Sequence, residues 1–124
     1  MNAKVLAYLI AGGRTLIGIG LMVAPGEVGK GWMGKKAKDP RIQLLLRVVG
    51  IRDFVVGLGG VVALSREGGG ARNWILAGAA CDTVDGVVTT LARDDLDDGA
   101  ATGLLAIAAP AAIAGPVVAA LLDD

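Results

Sequence analysis

Three aspartates, Asp53, Asp82 and Asp85, and three arginines, Arg14, Arg47 and Arg52, lie inside otherwise apolar stretches of this 124-residue chain. Residues of these types in such surroundings allow two kinds of chemistry. Carboxylates that are desolvated yet held by guanidinium groups can have their pKa values driven apart, so that one acts as general acid and another as base. On that reading the catalytic candidates are Asp82 and Asp85, with Asp53 opposite and Arg52 or Arg14 orienting them. On the other, the same six groups sum to zero charge and form one neutralised ion cluster that ties helices together. Oxygen ligands suit magnesium or calcium, but three local arginines repel either ion. No metal and no cofactor is expected.

The runs that carry these groups are long. Apolar residues make up 54% of the chain and aromatic residues only 3%, and the mean hydropathy is +0.64. Charged residues amount to 19%, against roughly a quarter in an ordinary soluble domain, and most are gathered in short clusters. Four runs stand out, at about 5–24, 42–64, 73–92 and 100–122. Each has about 20 residues, enough at 1.5 Å per residue to cross a hydrocarbon core of about 30 Å. Only helices satisfy their backbone in lipid over that length. Pro25-Gly26 ends the first run, Pro40 opens the second, and Gly68-Gly69-Gly70 follows it. The fourth carries no charge. Arg14 interrupts the first run and no small-x-small cleavage site follows at a sensible distance, which argues against a signal peptide. The predicted fold is all-α: a single transmembrane domain over 1–124, built as a polytopic four-helix bundle with an interfacial basic loop between helices 1 and 2.

That loop contains Lys30, Trp32, Lys35, Lys36, Lys38 and Arg41. It is expected either to lie on anionic headgroups, at about 1 kcal/mol per cation, or to be a solvated connection that only fixes topology. An acidic connection, with Asp94, Asp95, Asp97 and Asp98, falls on the same side and is able to pair with it. Trp32, Trp74 and Tyr8 fall near run ends, where amphipathic rings prefer to sit. Lys30, Lys35, Lys36, Lys38, Arg41 and Arg93 on one side outnumber Lys4, Arg66 and Arg72 on the other. The positive-inside rule then places a multi-pass protein in the cell membrane with both termini extracytoplasmic.

Zero net charge removes the field that attracts nucleic acid. The partners implied are the lipid bilayer and a homo-oligomer or larger membrane complex. Histidine is absent, and with it the commonest metal ligand. Cys81 is the only cysteine. It excludes an intramolecular disulfide and reads as an inert small hydrophobe.

Depth and helical phase bring the charges together. Arg14, Asp53 and Asp82 each fall about nine to eleven residues into runs that alternate in direction, with Asp85 one turn further. All four therefore reach the mid-bilayer level, whereas Arg47 is shallower and can snorkel. Ala7, Ala11, Arg14 and Gly18 share one face of the first helix. Gly50, Asp53, Gly57 and Gly60 share one face of the second, and Gly78, Asp82, Asp85, Gly86 and Thr89 one face of the third. Small residues let membrane helices approach closely, so these stripes are expected to face one another. Arg52 and Asp53 point about 100° apart, and Arg47 about 140° from Arg52. Either the second helix is central, or one arginine meets a neighbouring subunit.

Pro25, Gly31-Trp32, Pro40, the run Arg47-x-x-Gly50-x-Arg52-Asp53 with Gly57, Trp74 and Asp82-x-x-Asp85 resemble a bacterial and fungal family of small four-span membrane proteins, distantly DoxX-like. The resemblance covers nearly the whole chain and implies a four-helix membrane fold, but no established activity or catalytic residues. Three functions fit the residues: a non-enzymatic accessory or oligomeric membrane component, a membrane-embedded hydrolase, isomerase or cyclase of a lipophilic molecule, and a proton or small-solute pathway.

Overall fold

Every element of the computed structural model, which describes residues 2–123, is helical. The first long helix, α1 (Ala3–Val23), begins where the Asn2 side chain accepts a hydrogen bond from the Val5 amide at 2.9 Å. The sequence predicts an open basic loop next. The chain instead folds into α2 (Pro25–Val28), α3 (Lys30–Met33) and a 3-10 turn over Gly34–Lys38. Gly34, at φ 59°, makes the turn out of α3.

Asp39 then caps α4 (Pro40–Leu64), accepting from the Arg41 amide at 2.9 Å while the Arg41 guanidinium reaches back to it at 3.1 Å. That guanidinium contact holds the Asp39 carboxyl below its ordinary value. After α5 (Ala71–Leu91) a 3-10 turn over Arg93–Asp95 leads to α6 (Ala100–Leu121), which continues through Pro110 and Pro116. Arg72 secures the far end of α6: it donates to the carbonyl of Ala119 at 2.9 Å, which also accepts from the Leu122 amide, and to the carbonyl of Leu122 at 2.6 Å.

Successive long helices run antiparallel. Gly18 of α1 lies against Gly50 and Phe54 of α4, and Thr15 and Ala11 lie against Gly57. Gly59 of α4 receives the Trp74 ring of α5. Gly86 of α5 faces Leu105 of α6, and Ala79 faces Gly115. The pairs α1–α4 and α5–α6 adjoin over the greatest length, and α4 joins them through α5.

The distribution of side-chain size is the reverse of that in a water-soluble bundle. Much of the interior is alanine and glycine: Ala7, Ala11, Ala79, Ala108, Gly50, Gly57 and Gly78 are all buried. Many of the large apolar side chains point outward, with Leu16 70% exposed, Val23 76% and Leu91 79%. Water penalises such a surface and lipid does not. Three of the long helices, α1, α5 and α6, are long and apolar enough to cross a membrane. The 25-residue α4 is longer than any of them but carries Arg41, Arg47, Arg52 and Asp53, and it is not among the three.

Candidate functional site

Five of the six charged groups singled out in the sequence meet at one level of the bundle. Arg14 projects from α1 between α4 and α5, where the absence of a side chain at Gly78 makes room for it. A Cβ on Gly78 would stand 2.8 Å from the Arg14 Nε. From that slot Arg14 donates through Nη1 to Asp53 Oδ1 at 3.2 Å, and through Nη2 to Asp82 Oδ2. Arg52 folds back along its own helix and donates from Nε and Nη2 to the same Asp53 Oδ1, at 3.3 and 3.1 Å. It simultaneously forks onto Asp85, Nη1 to Oδ1 at 2.9 Å and Nη2 to Oδ2 at 2.7 Å. The outcome is one chain of alternating sign, Asp82–Arg14–Asp53–Arg52–Asp85, crossing α1, α4 and α5.

Geometry explains why guanidinium groups do this work. A planar fork with five donors can serve two carboxylates at once, which an ammonium cannot do with the same rigidity. The chain is well sheltered: the Arg14 and Asp53 side chains are 9% and 10% exposed, and Arg52, at its open end, is 30% exposed. Adjacent Arg52 and Asp53 do reach a common point despite their 100° offset, because the arginine stem is long enough to curl around its own helix. A neighbouring subunit is not needed to pair it.

Arg47 is not brought into the cluster. It lies exposed, donating to the Met22 carbonyl near the end of α1 at 3.2 Å. This changes the charge balance. Two guanidinium groups face three carboxylates, so the fully ionised cluster carries one surplus negative charge rather than none.

The cluster forms part of the wall of a 370 Å³ cavity. Arg14, Asp53, Asp82 and Asp85 contribute its polar surface, and Ile10 and Ile17 of α1 with Leu104 and Ile107 of α6 contribute apolar surface. Trp32 closes one side. The sequence places this ring on the lipid surface, but its Nε1 donates to Thr89 Oγ1 of α5 at 3.0 Å, and the ring turns into the bundle. The α6 contribution had no signal in the sequence, because apolar residues on a helix that is apolar all round carry no phase.

The other candidates are placed more simply. Lys30, Lys35, Lys36, Lys38 and Arg41 are all exposed. The basic and acidic connections do meet, through a hydrogen bond from the Lys35 backbone amide to Asp97 Oδ2 at 3.2 Å rather than through a lysine–aspartate ion pair. Cys81 is a half-buried free thiol. Among the described residues no group of three or more histidine, cysteine, aspartate or glutamate side chains is arranged to hold a metal ion. No family model, characterised protein or solved structure matches the chain. The functional reading therefore rests on geometry and charge.

Proposed function

We propose that this chain is a small integral protein of the cell membrane, a four-span bundle with a non-enzymatic accessory or oligomeric role, in which the Asp–Arg chain is a lock between helices. One observation carries the reading. Asp53 Oδ1 is the shared acceptor of Arg14 and Arg52, and each of these arginines also holds a carboxylate of α5, Asp82 or Asp85, so one ion chain joins three helices. The same pairing supports α4 as the fourth span. An unpaired charge at mid-bilayer costs about 2.5–3.5 kcal/mol. In α4 Arg52 and Asp53 are paired inward, and Arg41 sits in the first turn of the helix. Arg47 reaches a carbonyl near the helix ends. The exposed cations of 30–41 favour a cytoplasmic position for that segment, with the termini opposite. A four-helix membrane bundle is also what the DoxX-like resemblance implies.

The test is a charge exchange read out by thermal unfolding in lipid nanodiscs. Arg52→Ala leaves Asp85 without its fork and is expected to cost about 3–5 kcal/mol. Exchanging the pair, Arg52→Asp with Asp85→Arg, should recover much of that loss. If the exchanged protein is no more stable than either single variant, the lock reading fails. A second reading, a membrane-embedded hydrolase, isomerase or cyclase, has one observation in its favour: Asp53, Asp82 and Asp85 all line the same cavity. Under that reading the exchange restores folding but never turnover.

A further inference from the structure

We infer that the cavity against the ion chain binds a small lipophilic monocation, an alkyl- or arylalkyl-ammonium. The inference rests on the proposed placement of the bundle in a bilayer and names what the same site would hold. Its first support is charge as seen from inside the cavity. The wall presents three carboxylates, Asp53, Asp82 and Asp85, and one guanidinium, Arg14. Arg52 compensates from outside that wall. With all three carboxylates ionised, the chain is one positive charge short even with Arg52 included. A cation in the cavity supplies that charge, and neither a neutral molecule nor an anion does.

The second support is free acceptor capacity. Asp82 receives a single guanidinium nitrogen at Oδ2, and its Oδ1 accepts no hydrogen bond among the described residues. Asp53 gathers all of its donors on Oδ1, leaving Oδ2 open. Neither open oxygen is sealed inside the protein without a partner. An ammonium, with up to three N–H donors and no acceptor, is complementary to two such oxygens. Arg14, by contrast, is flanked by Asp53 and Asp82, whose carboxylates repel an incoming carboxylate or phosphate.

The remainder of the cavity selects for an apolar body. Ile17, Leu104 and Ile107 offer hydrocarbon walls, and Trp32 offers an aromatic ring of the kind that attracts cations. The 370 Å³ volume falls within the usual range of small-molecule sites, about 300–1,000 Å³. A hydrated metal ion would leave those apolar walls unused.

Three isosteres separate charge from shape: 4-phenylbutylamine, 4-phenylbutanol and 4-phenylbutyrate, titrated calorimetrically into the full chain in zwitterionic lipid nanodiscs, with empty nanodiscs subtracted. The amine, cationic at pH 7, is expected to bind at least about tenfold more tightly than the alcohol, and the butyrate not measurably. Asp82→Asn leaves two arginines facing two aspartates, so the cluster is balanced, and it should abolish the preference for the amine. Should that variant fail to fold, Ala111→Phe fills the cavity from α6 without touching a charge, and it should abolish amine binding. Equal binding of amine and alcohol overturns the inference, as does an amine preference that survives Asp82→Asn or amine binding that survives Ala111→Phe. Unfolding curves on the same samples keep the two proposals apart. A lock that holds without amine preference leaves the ion chain purely structural. Amine binding in a protein whose Arg52–Asp85 exchange is no more stable than either single variant removes the lock and retains the site.

Discussion

The α1–α4 seam and the α5–α6 seam are both made of small residues, yet they are packed in different ways. Along α1–α4 the backbones themselves are in contact. A Cβ on Gly57 would stand 2.5 Å from the Thr15 amide and 2.8 Å from the Ala11 carbonyl, and one on Gly18 would strike the Phe54 amide. Along α5–α6 the seam is tight at Gly115, where a Cβ would stand 2.8 Å from the Ala79 Cβ, but toward Gly86 it opens into an apolar hollow of 430 Å³, and a Cβ on Gly86 would meet only the Leu105 Cδ2, at 3.4 Å. The closely packed seam adjoins Arg14 and Asp53, and the loose one, with Asp82 in its wall, flanks the cavity. Ion pairing fixes positions to within a few tenths of an ångström and rewards rigid neighbours. An apolar hollow between alanines asks for no such precision.

Substitutions can break this contrast, and the largest effect is expected where charge and packing coincide. Arg14→Leu strands Asp82 and leaves Asp53 to Arg52 alone, and should cost about 3–5 kcal/mol of unfolding free energy in nanodiscs. A loss below about 1 kcal/mol would mean that the chain contributes little to stability. Next comes Gly57→Val, which drives a branched side chain into the α1 backbone. Overpacking of this kind costs about 1–3 kcal/mol, and chemical denaturation should report it. Gly78→Ala sharpens the link between the two effects, because the atom that must yield is the Arg14 guanidinium rather than backbone. A cost of about 1–2 kcal/mol is expected. It should shrink when combined with Arg14→Leu, and a double-mutant cycle measures the difference. The smallest effect belongs to the loose seam: Gly86→Ala should change the melting temperature little, within about 0.5 kcal/mol of wild type. If Gly86→Ala costs as much as Gly57→Val, the two seams are alike.

Much of the site is legible in the residues alone. Counting depth from alternating ends puts Arg14, Asp53, Asp82 and Asp85 at one level, and the contacts among them agree. The stripe Gly50, Asp53, Gly57 and Gly60 is buried as its spacing predicts. The third helix is legible in part: Gly78, Gly86 and Thr89 are buried, and Asp82 and Asp85 are partly so. Helical phase yields all of this, because 3.6 residues per turn determines which side of a helix a residue occupies.

Side-chain reach lies beyond phase. Arg47 and Arg52 are similar on paper, two cations on one helix, yet one curls inward to Asp53 and Asp85 while the other crosses to the Met22 carbonyl. Trp32 reads as a surface anchor, but the fold of α2 and α3 swings it onto Thr89. The sequence by itself determined the four long helices, their small-residue faces and the level at which the charges gather, since each follows from local periodicity and length. Only the tertiary structure decided which arginines join, and so whether the cluster is neutral or one charge short. That outcome depends on flexible side chains of several rotatable bonds and on partners contributed by other helices, none of which is encoded in the spacing along a single helix.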